Sequence, residues 1–271
     1  MTQPKILYGT AWKEDSTQKC VSTALAAGFR GIDTANQRKH YFEAAVGDAI
    51  KLSDISREDL FLQTKYTFQR GQDHRLPYDE KATIKDQVLQ SFESSLEHLH
   101  TDYIDSLVLH GPSVYDDSLA EDDWEAWCAM EQLYKKGNVR ALGVSNVSLK
   151  QLEQLYKQAQ VKPSYAQIRC YARNGWDLDM RKFCREKNII FQGFSLLTAN
   201  KNAMNSQQIK KIAERYKLTP AQIIFAFSRQ VGMMPLTGTT DPQHMKQDLE
   251  SLSVTLELDE LKIIEKIELV N

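Results

Sequence analysis

Cysteine is scarce in this chain: four in 271 residues, at positions 20, 128, 170 and 184, with neither a CxxC pair nor a zinc-type spacing. That scatter excludes a disulfide framework and suits a reducing compartment. Long apolar runs are missing too; none approaches the roughly 20 residues that cross a bilayer. The opening segment MTQPKILYGTAW has no apolar core of the kind a secretory signal needs. A cytoplasmic location is expected. Charge of one sign never accumulates: 34 basic residues face 36 acidic ones, for a net charge of −2. Nothing here offers an electrostatic footprint for nucleic acid or an anionic membrane, so the expected partner is a small molecule. The six histidines form no HExxH motif, and His98 and His100, two apart on an expected helix, point to different faces. No metal is expected. A GxGxxG fingerprint is also absent, which disfavours a Rossmann dehydrogenase.

What is present is alternation. Short β-rich runs at 5–9, 29–34, 60–66, 103–110, 139–145, 164–170, 189–195 and 233–237 predict eight strands. Helical patterns lie between them, clearest over 82–100, where Ile84, Val88, Phe92, Leu96 and Leu99 make one apolar stripe. Others cover 124–136, 149–159, 180–187, 206–216, 220–229 and 258–270. Strand-helix alternation implies right-handed crossovers and a parallel sheet, and eight units imply closure into a (β/α)8 TIM barrel. No linker or composition break divides the chain, so 1–271 reads as one domain. The loop at 67–78, TFQRGQDHRLPY, is longer and more polar than its neighbours and leaves a strand end. It reads either as part of the site or as a solvated connection.

Barrel enzymes collect their chemistry at the C-terminal strand ends. Asp33 ends the second strand, Lys65 the third and His110 the fourth, while Tyr41 follows the second in RKHYFEAAVG. A phenol has an ordinary pKa of about 10, and a nearby ammonium lowers it by stabilising the phenolate. Lys65 is the expected source of that charge, with Asp33 holding Lys65 and His110 orienting a substrate carbonyl. Such a group protonates an alkoxide as hydride reaches carbon.

The motifs GFRGIDTA, DYIDSLVLHGP, KKGNVRALGVSN, KPSYAQIRC and IIFQGFSLL, in this order, resemble those of the aldo-keto reductase family over nearly the whole chain. The resemblance implies NAD(P)H-dependent reduction of aldehydes and ketones, with Asp33, Tyr41, Lys65 and His110 as the catalytic tetrad. It also implies that Ser145, Asn146 and Gln167 hold the nicotinamide carboxamide and that Phe194 stacks on the ring. Ser195 and Leu197 then fall near the pyrophosphate, and Gly238, Thr239, His244, Gln247 and Asp248 near the adenosine phosphate. Trp12, Tyr66 and Phe68 are candidates to line the substrate mouth. A nucleotide-binding regulatory barrel with little turnover is the alternative, and the complete set of four tetrad residue types weighs against it.

Four departures from the family pattern stand out. The stretch between Asp33 and Val46–Gly47 is two residues longer than usual, so counting back from Glu43 puts His40 at the proton-donor position; Tyr41 is preferred because Lys65 can tune it. Gly111 replaces an aromatic after His110 and should widen that side of the pocket. Arg169 replaces a frequent acid, and Phe194 a tyrosine. The helix over 258–270 leaves no long closing loop in this sequence, so an open pocket is expected. NADP(H) is the expected cofactor, with NAD(H) possible, since Gly238 and His244 stand where a Lys and an Arg usually grip the 2′-phosphate. Thr239, Thr240 and the helix start near Asp241 are expected to receive that phosphate instead, with Lys201 or Lys246 as possible cations.

Overall fold

Period-two and period-3.6 patterns alternate along the sequence, and the computed structural model, which describes residues 3–269, turns each into its element. The eight strands follow one another as a closed parallel barrel in chain order. They are β1 (Leu7–Gly9), β2 (Gly31–Asp33), β3 (Phe61–Tyr66), β4 (Ser106–Leu109), β5 (Leu142–Ser145), β6 (Tyr165–Arg169), β7 (Ile190–Phe194) and β8 (Met233–Thr237). The helices are α1 (Thr17–Ala27), α2 (Glu43–Lys51), α3 (Ile84–Leu99), α4 (Glu121–Lys135), α5 (Leu149–Gln158), α6 (Leu178–Glu186), α7 (Lys201–Asn205), α8 (Gln207–Tyr216), α9 (Pro220–Gln230), α10 (Pro242–Glu250) and α11 (Leu258–Glu265). The chain divides into two compact units, Tyr8–Ala166 with residues 3–4, and Lys5–Leu7 with residues 167–269. None of the described helices is long and apolar enough to cross a membrane.

In the first unit, register does the positioning. Asp33 on β2 lies opposite Gln63 on β3, and Lys65 and Tyr66 lie opposite Val108 and Leu109 on β4. Lys65 is therefore two residues along β3 from Asp33's partner and level with Val108 on β4, two residues before His110. The expected strand over 103–110 begins later, at Ser106; ahead of it Ile104 pairs with Val139 as an isolated bridge, and side chains add to the backbone bonds. Asp105 takes the Leu62 N–H at 3.0 Å on its carboxylate and pairs with Arg57 at 2.8 Å and Arg140 at 3.0 Å. On α3, Val88, Phe92 and Leu99 are buried, with Ile84 and Leu96 at the margin of the stripe. Each large apolar side chain buried this way contributes about 1.5–3 kcal/mol. Thr83 caps α3 by accepting the Asp86 N–H, and His100 ends it in a left-handed turn. Gly47 lets α2 touch α3 closely: a Cβ there would fall 1.9 Å from the His98 carbonyl oxygen.

The second unit is anchored by Trp176, fully buried, whose indole N–H donates to the Ile264 carbonyl at 2.8 Å and whose ring meets Phe227 at 5.3 Å. Arg181 ties the same region together through Trp176 and Gly175 carbonyls and an ion pair with Glu265. β7 and β8 pair with Gln192 opposite Met234. The last helix, expected over 258–270, ends at Glu265; Val270 lies outside the described residues.

Candidate active site

The ends of β2, β3 and β4 assemble a buried ion pair. Lys65 Nζ donates to both oxygens of Asp33, at 2.8 and 2.7 Å, and to the Thr34 carbonyl at 2.7 Å. An ammonium has three hydrogens, and these acceptors use all of them. Gln63, completely buried, donates to Asp33 Oδ1 at 2.7 Å. The sequence reading passed over Gln63, although it is two residues from Lys65 on one strand and so shares its face. Thr67, two residues beyond Lys65 on the other side, was likewise missed; its Oγ1 lies 2.7 Å from His110 Nδ1.

Tyr41 reaches this cluster from the loop after β2. Amide side chains pin that loop: Asn36 donates to the Ser91 carbonyl at 2.9 Å, Gln37 to the Gly71 carbonyl at 2.6 Å, and Gln72 to the Asn36 carbonyl at 2.9 Å. A turn closed by the Tyr41 N–H on the Gln37 carbonyl, at 2.9 Å, sends the two neighbouring side chains different ways. The Tyr41 ring centroid sits 5.1 Å from Lys65 Nζ and 5.8 Å from the His110 ring, edge-on. His40 instead stacks on Trp12 at 3.9 Å and bonds Gln37 at 3.0 Å. A cavity of about 350 Å³ opens beside Tyr41, walled in part by Arg38, Phe42, Arg75, Leu76 and Pro77.

Electrostatics departs from expectation at the phenol. Burial, and secondarily the Asp33 charge, raise the Tyr41 pKa instead of lowering it. Burial strips water from a phenolate at this position and the neighbouring Asp33 charge repels it, so the neutral phenol is favoured. Tyr41 is thereby held as a neutral donor. Burial pulls the Lys65 pKa down while Asp33 opposes the fall. His110 is held well below its ordinary range by burial and by the Lys65 charge, and is neutral at pH 7.

The remaining positions fall within one unit or the other. In the first, Asn146 has left-handed backbone (φ 55°) and donates its amide N–H groups to the His110 carbonyl at 2.8 Å and to Ser145 Oγ at 3.1 Å. These bonds occupy both amide N–H groups and leave Oδ1 as the acceptor. Gly111 abuts the same corner, with Asn146 Cβ 3.6 Å from where its own Cβ would be. Trp12, also left-handed (φ 61°), is 70% exposed. Strand alternation sends Tyr66 away from Lys65: it is buried, hydrogen-bonded to Gln87 of α3 at 3.2 Å, and packed on Phe68 at 5.2 Å. Tyr66 thus packs toward α3, and Phe68 is buried against its ring.

In the second unit, Gln167 donates to Gln192 at 3.1 Å, Phe194 is half-buried at the end of β7, and Ser195 is left-handed (φ 56°). Leu197 follows, its carbonyl accepting the Asn200 N–H at 3.2 Å. Gly238 and His244 are exposed, while Thr239 and Gln247 are half-buried. Asp248 is buried, accepts the Thr237 hydroxyl at 2.6 Å and has its pKa pushed up to about 6 by burial. The start of α10 is already filled: Asp241 accepts the Gln243 and His244 N–H groups at 2.7 and 3.2 Å, which also keeps it ionised. A phosphate would meet that carboxylate in place of open donors.

The model of the aldo/keto reductase family matches residues 5–269, and the chain belongs to that family of carbonyl-reducing oxidoreductases. An NADPH-dependent alpha-keto amide reductase of Saccharomyces cerevisiae is 31% identical over 92% of this chain and 82% of its own length. A glyoxal reductase of Bacillus subtilis is 29% identical over 90% of this chain and 81% of its own. Among solved structures, an aldo-keto reductase from a Medee basin deep-sea metagenome superposes with a TM-score of 0.84 at 26% identity, covering 98% of this chain and 92% of that one. The regulatory alternative without turnover is not favoured by these relatives.

Proposed function

We propose that this chain reduces small aldehydes and activated ketones, dicarbonyls and α-keto amides among them, with Tyr41 as the proton donor and NADPH as the preferred cofactor. The observation that carries the reading is the placement of the Tyr41 ring 5.1 Å from the Lys65 ammonium and edge-on to His110. The reduced nicotinamide supplies the hydride when bound. Tyr41 gives its hydroxyl proton to the carbonyl oxygen as that oxygen becomes an alkoxide, a far stronger base than a phenolate even with a raised phenol pKa. Lys65, kept in place by Asp33, Gln63 and Thr34, then stabilises the phenolate left behind. His110, neutral, hydrogen-bonds the substrate oxygen and fixes its direction. Trp12 forms the exposed edge of the mouth.

For the cofactor, the Oδ1 acceptor of Asn146, whose amide is held by its two donated bonds, suits a carboxamide N–H. Ser145, Gln167, Phe194, Ser195, Leu197, Gly238, Thr239, His244 and Gln247 are proposed with it. Asp241 on the α10 start supports only a modest preference for NADPH over NADH, about 10-fold or about 1.4 kcal/mol. A cytoplasmic site of action accords with four free thiols. The test is oxidation of NADPH and of NADH in the presence of glyoxal, methylglyoxal, an α-keto amide and 4-nitrobenzaldehyde. Turnover with at least one of them, faster at low NADPH than at equal NADH, is expected. No turnover with any overturns the reading.

A further inference from the structure

The loop at 67–78 directs several contacts onto one residue. Thr67 is 6% exposed, and its carbonyl accepts the Tyr78 hydroxyl at 2.8 Å and the Gln72 amide at 3.4 Å. Its γ-methyl occupies space that only a glycine at 71 leaves open, since a Cβ there would come within 2.7 Å of it. Gly71 is fixed in turn by its N–H on the Phe68 carbonyl at 2.8 Å and by Gln37 donating to its own carbonyl. With backbone and methyl both held, the hydroxyl has one direction left, toward His110 Nδ1 at 2.7 Å.

We propose that Thr67 is a positioning residue that fixes His110 as the Nε2–H tautomer, and that residues 67–78 serve to hold Thr67 in this pose. The proposal rests on the reading of His110 as the group that binds the substrate oxygen. A hydroxyl carries one hydrogen, and a neutral imidazole carries one on either of its two nitrogens. Among the described residues, His110 Nδ1 is the hydrogen-bond partner of this hydroxyl. If Nδ1 bore the ring hydrogen, the hydroxyl hydrogen would be left without an acceptor in a nearly water-free position. If the hydroxyl donates, both groups are satisfied and the ring hydrogen moves to Nε2. That places a donor on the ring nitrogen remote from the loop, where a carbonyl oxygen needs one. The neutrality imposed on His110 by burial and by Lys65 is consistent with this assignment.

Long-range proton–nitrogen correlation spectra of the imidazoles test it, with His110 assigned by difference from His110→Asn, on wild type, Thr67→Val and Thr67→Ser. The wild-type ring should carry its hydrogen on Nε2. Thr67→Val, equal in shape, should show mixed tautomers and a fall of about tenfold in kcat/KM, mainly in kcat, with cofactor affinity unchanged. Thr67→Ser should restore both. An Nδ1–H ring in wild type, or a Thr67→Val enzyme with the wild-type tautomer and turnover, overturns the proposal. If Thr67→Val fails to fold, the wild-type and Thr67→Ser spectra still decide. Absence of carbonyl turnover in wild type would instead sink the functional reading, and the spectra would remain decisive for the tautomer.

Discussion

The strand-end cluster of the first unit and the β8–α10 segment of the second solve opposite problems with the same chemical groups. At β2 to β4, a carboxylate and an ammonium are buried together, with Lys65 and Asp33 only 1% and 2% exposed, and Lys65 spends every hydrogen on its partners. At the start of α10, a carboxylate is exposed and spends itself on its own helix. The first arrangement gives a rigid, directed group on which proton transfer can rely. The second keeps a helix capped and leaves little net attraction for an anion. Catalytic power is therefore expected to be sensitive to single substitutions in the cluster, and cofactor choice to be shallow and easily shifted.

Breaking the cluster should have the largest effect. Lys65→Met removes the charge that stabilises a phenolate and leaves Asp33 buried and unmatched. A drop of about 10²–10³ in kcat is expected, together with about 3–5 kcal/mol of stability, read by steady-state kinetics and urea unfolding. If Lys65→Met unfolds like wild type, the Asp33 pair is not the structural keystone described here.

Asp248 sharpens the contrast, because it is a buried carboxylate in the second unit without a cation of its own among the contacts found. Its pKa, about 6, lies above the ordinary carboxylate value. Between pH 4 and 6 the folded chain retains a proton that the unfolded chain has released, so stability falls as pH rises through that window and stays lower above it. Asp248→Asn keeps an acceptor for Thr237 and avoids the loss. It should gain up to about 3 kcal/mol at pH 7 and nothing below pH 4. Equal gains at both pH values would contradict the account.

Smaller shifts are expected at the cofactor segment. His244→Arg adds a bidentate phosphate donor and should raise the NADPH-to-NADH affinity ratio by about tenfold. Asp241→Asn retains the cap but removes the charge, for a gain of about two- to fivefold. Fluorescence titration of both reduced cofactors at one ionic strength measures each. A ratio unmoved by either substitution would separate this segment from the 2′-phosphate altogether.

The fold was legible because eight alternations of period two and period 3.6 leave few topologies, and each strand appears where its β-rich run lies, trimmed at the ends. The cluster of candidate acid-base residues was legible because three sit at strand ends. What the sequence hid were groups known only by whom they touch. Gln63 and Thr67 carry no motif, and only the shared face of β3 points to them. Tyr66 follows Lys65 in sequence, yet strand alternation turns it to Gln87 of α3, a partner that no motif announces. Asp248 is placed near the adenosine phosphate by its match to the family pattern, and its burial and internal hydrogen bond to Thr237 have no signal in the sequence. The direction of the Tyr41 shift was also illegible, since it depends on how deeply the fold buries the phenol and how near Asp33 lies.

The central claim is that Tyr41, and not its neighbour His40, delivers the proton beside the Lys65–Asp33 pair. Single-turnover reduction of 4-nitrobenzaldehyde by enzyme preloaded with NADPH, compared for Tyr41→Phe and His40→Phe, tests it most directly. Tyr41→Phe should lose about 10²–10⁴ in rate with cofactor affinity intact, while His40→Phe, which keeps an aromatic face for Trp12, should stay within a few-fold of wild type. A Tyr41→Phe enzyme that turns over normally, with His40→Phe inactive, would contradict the account.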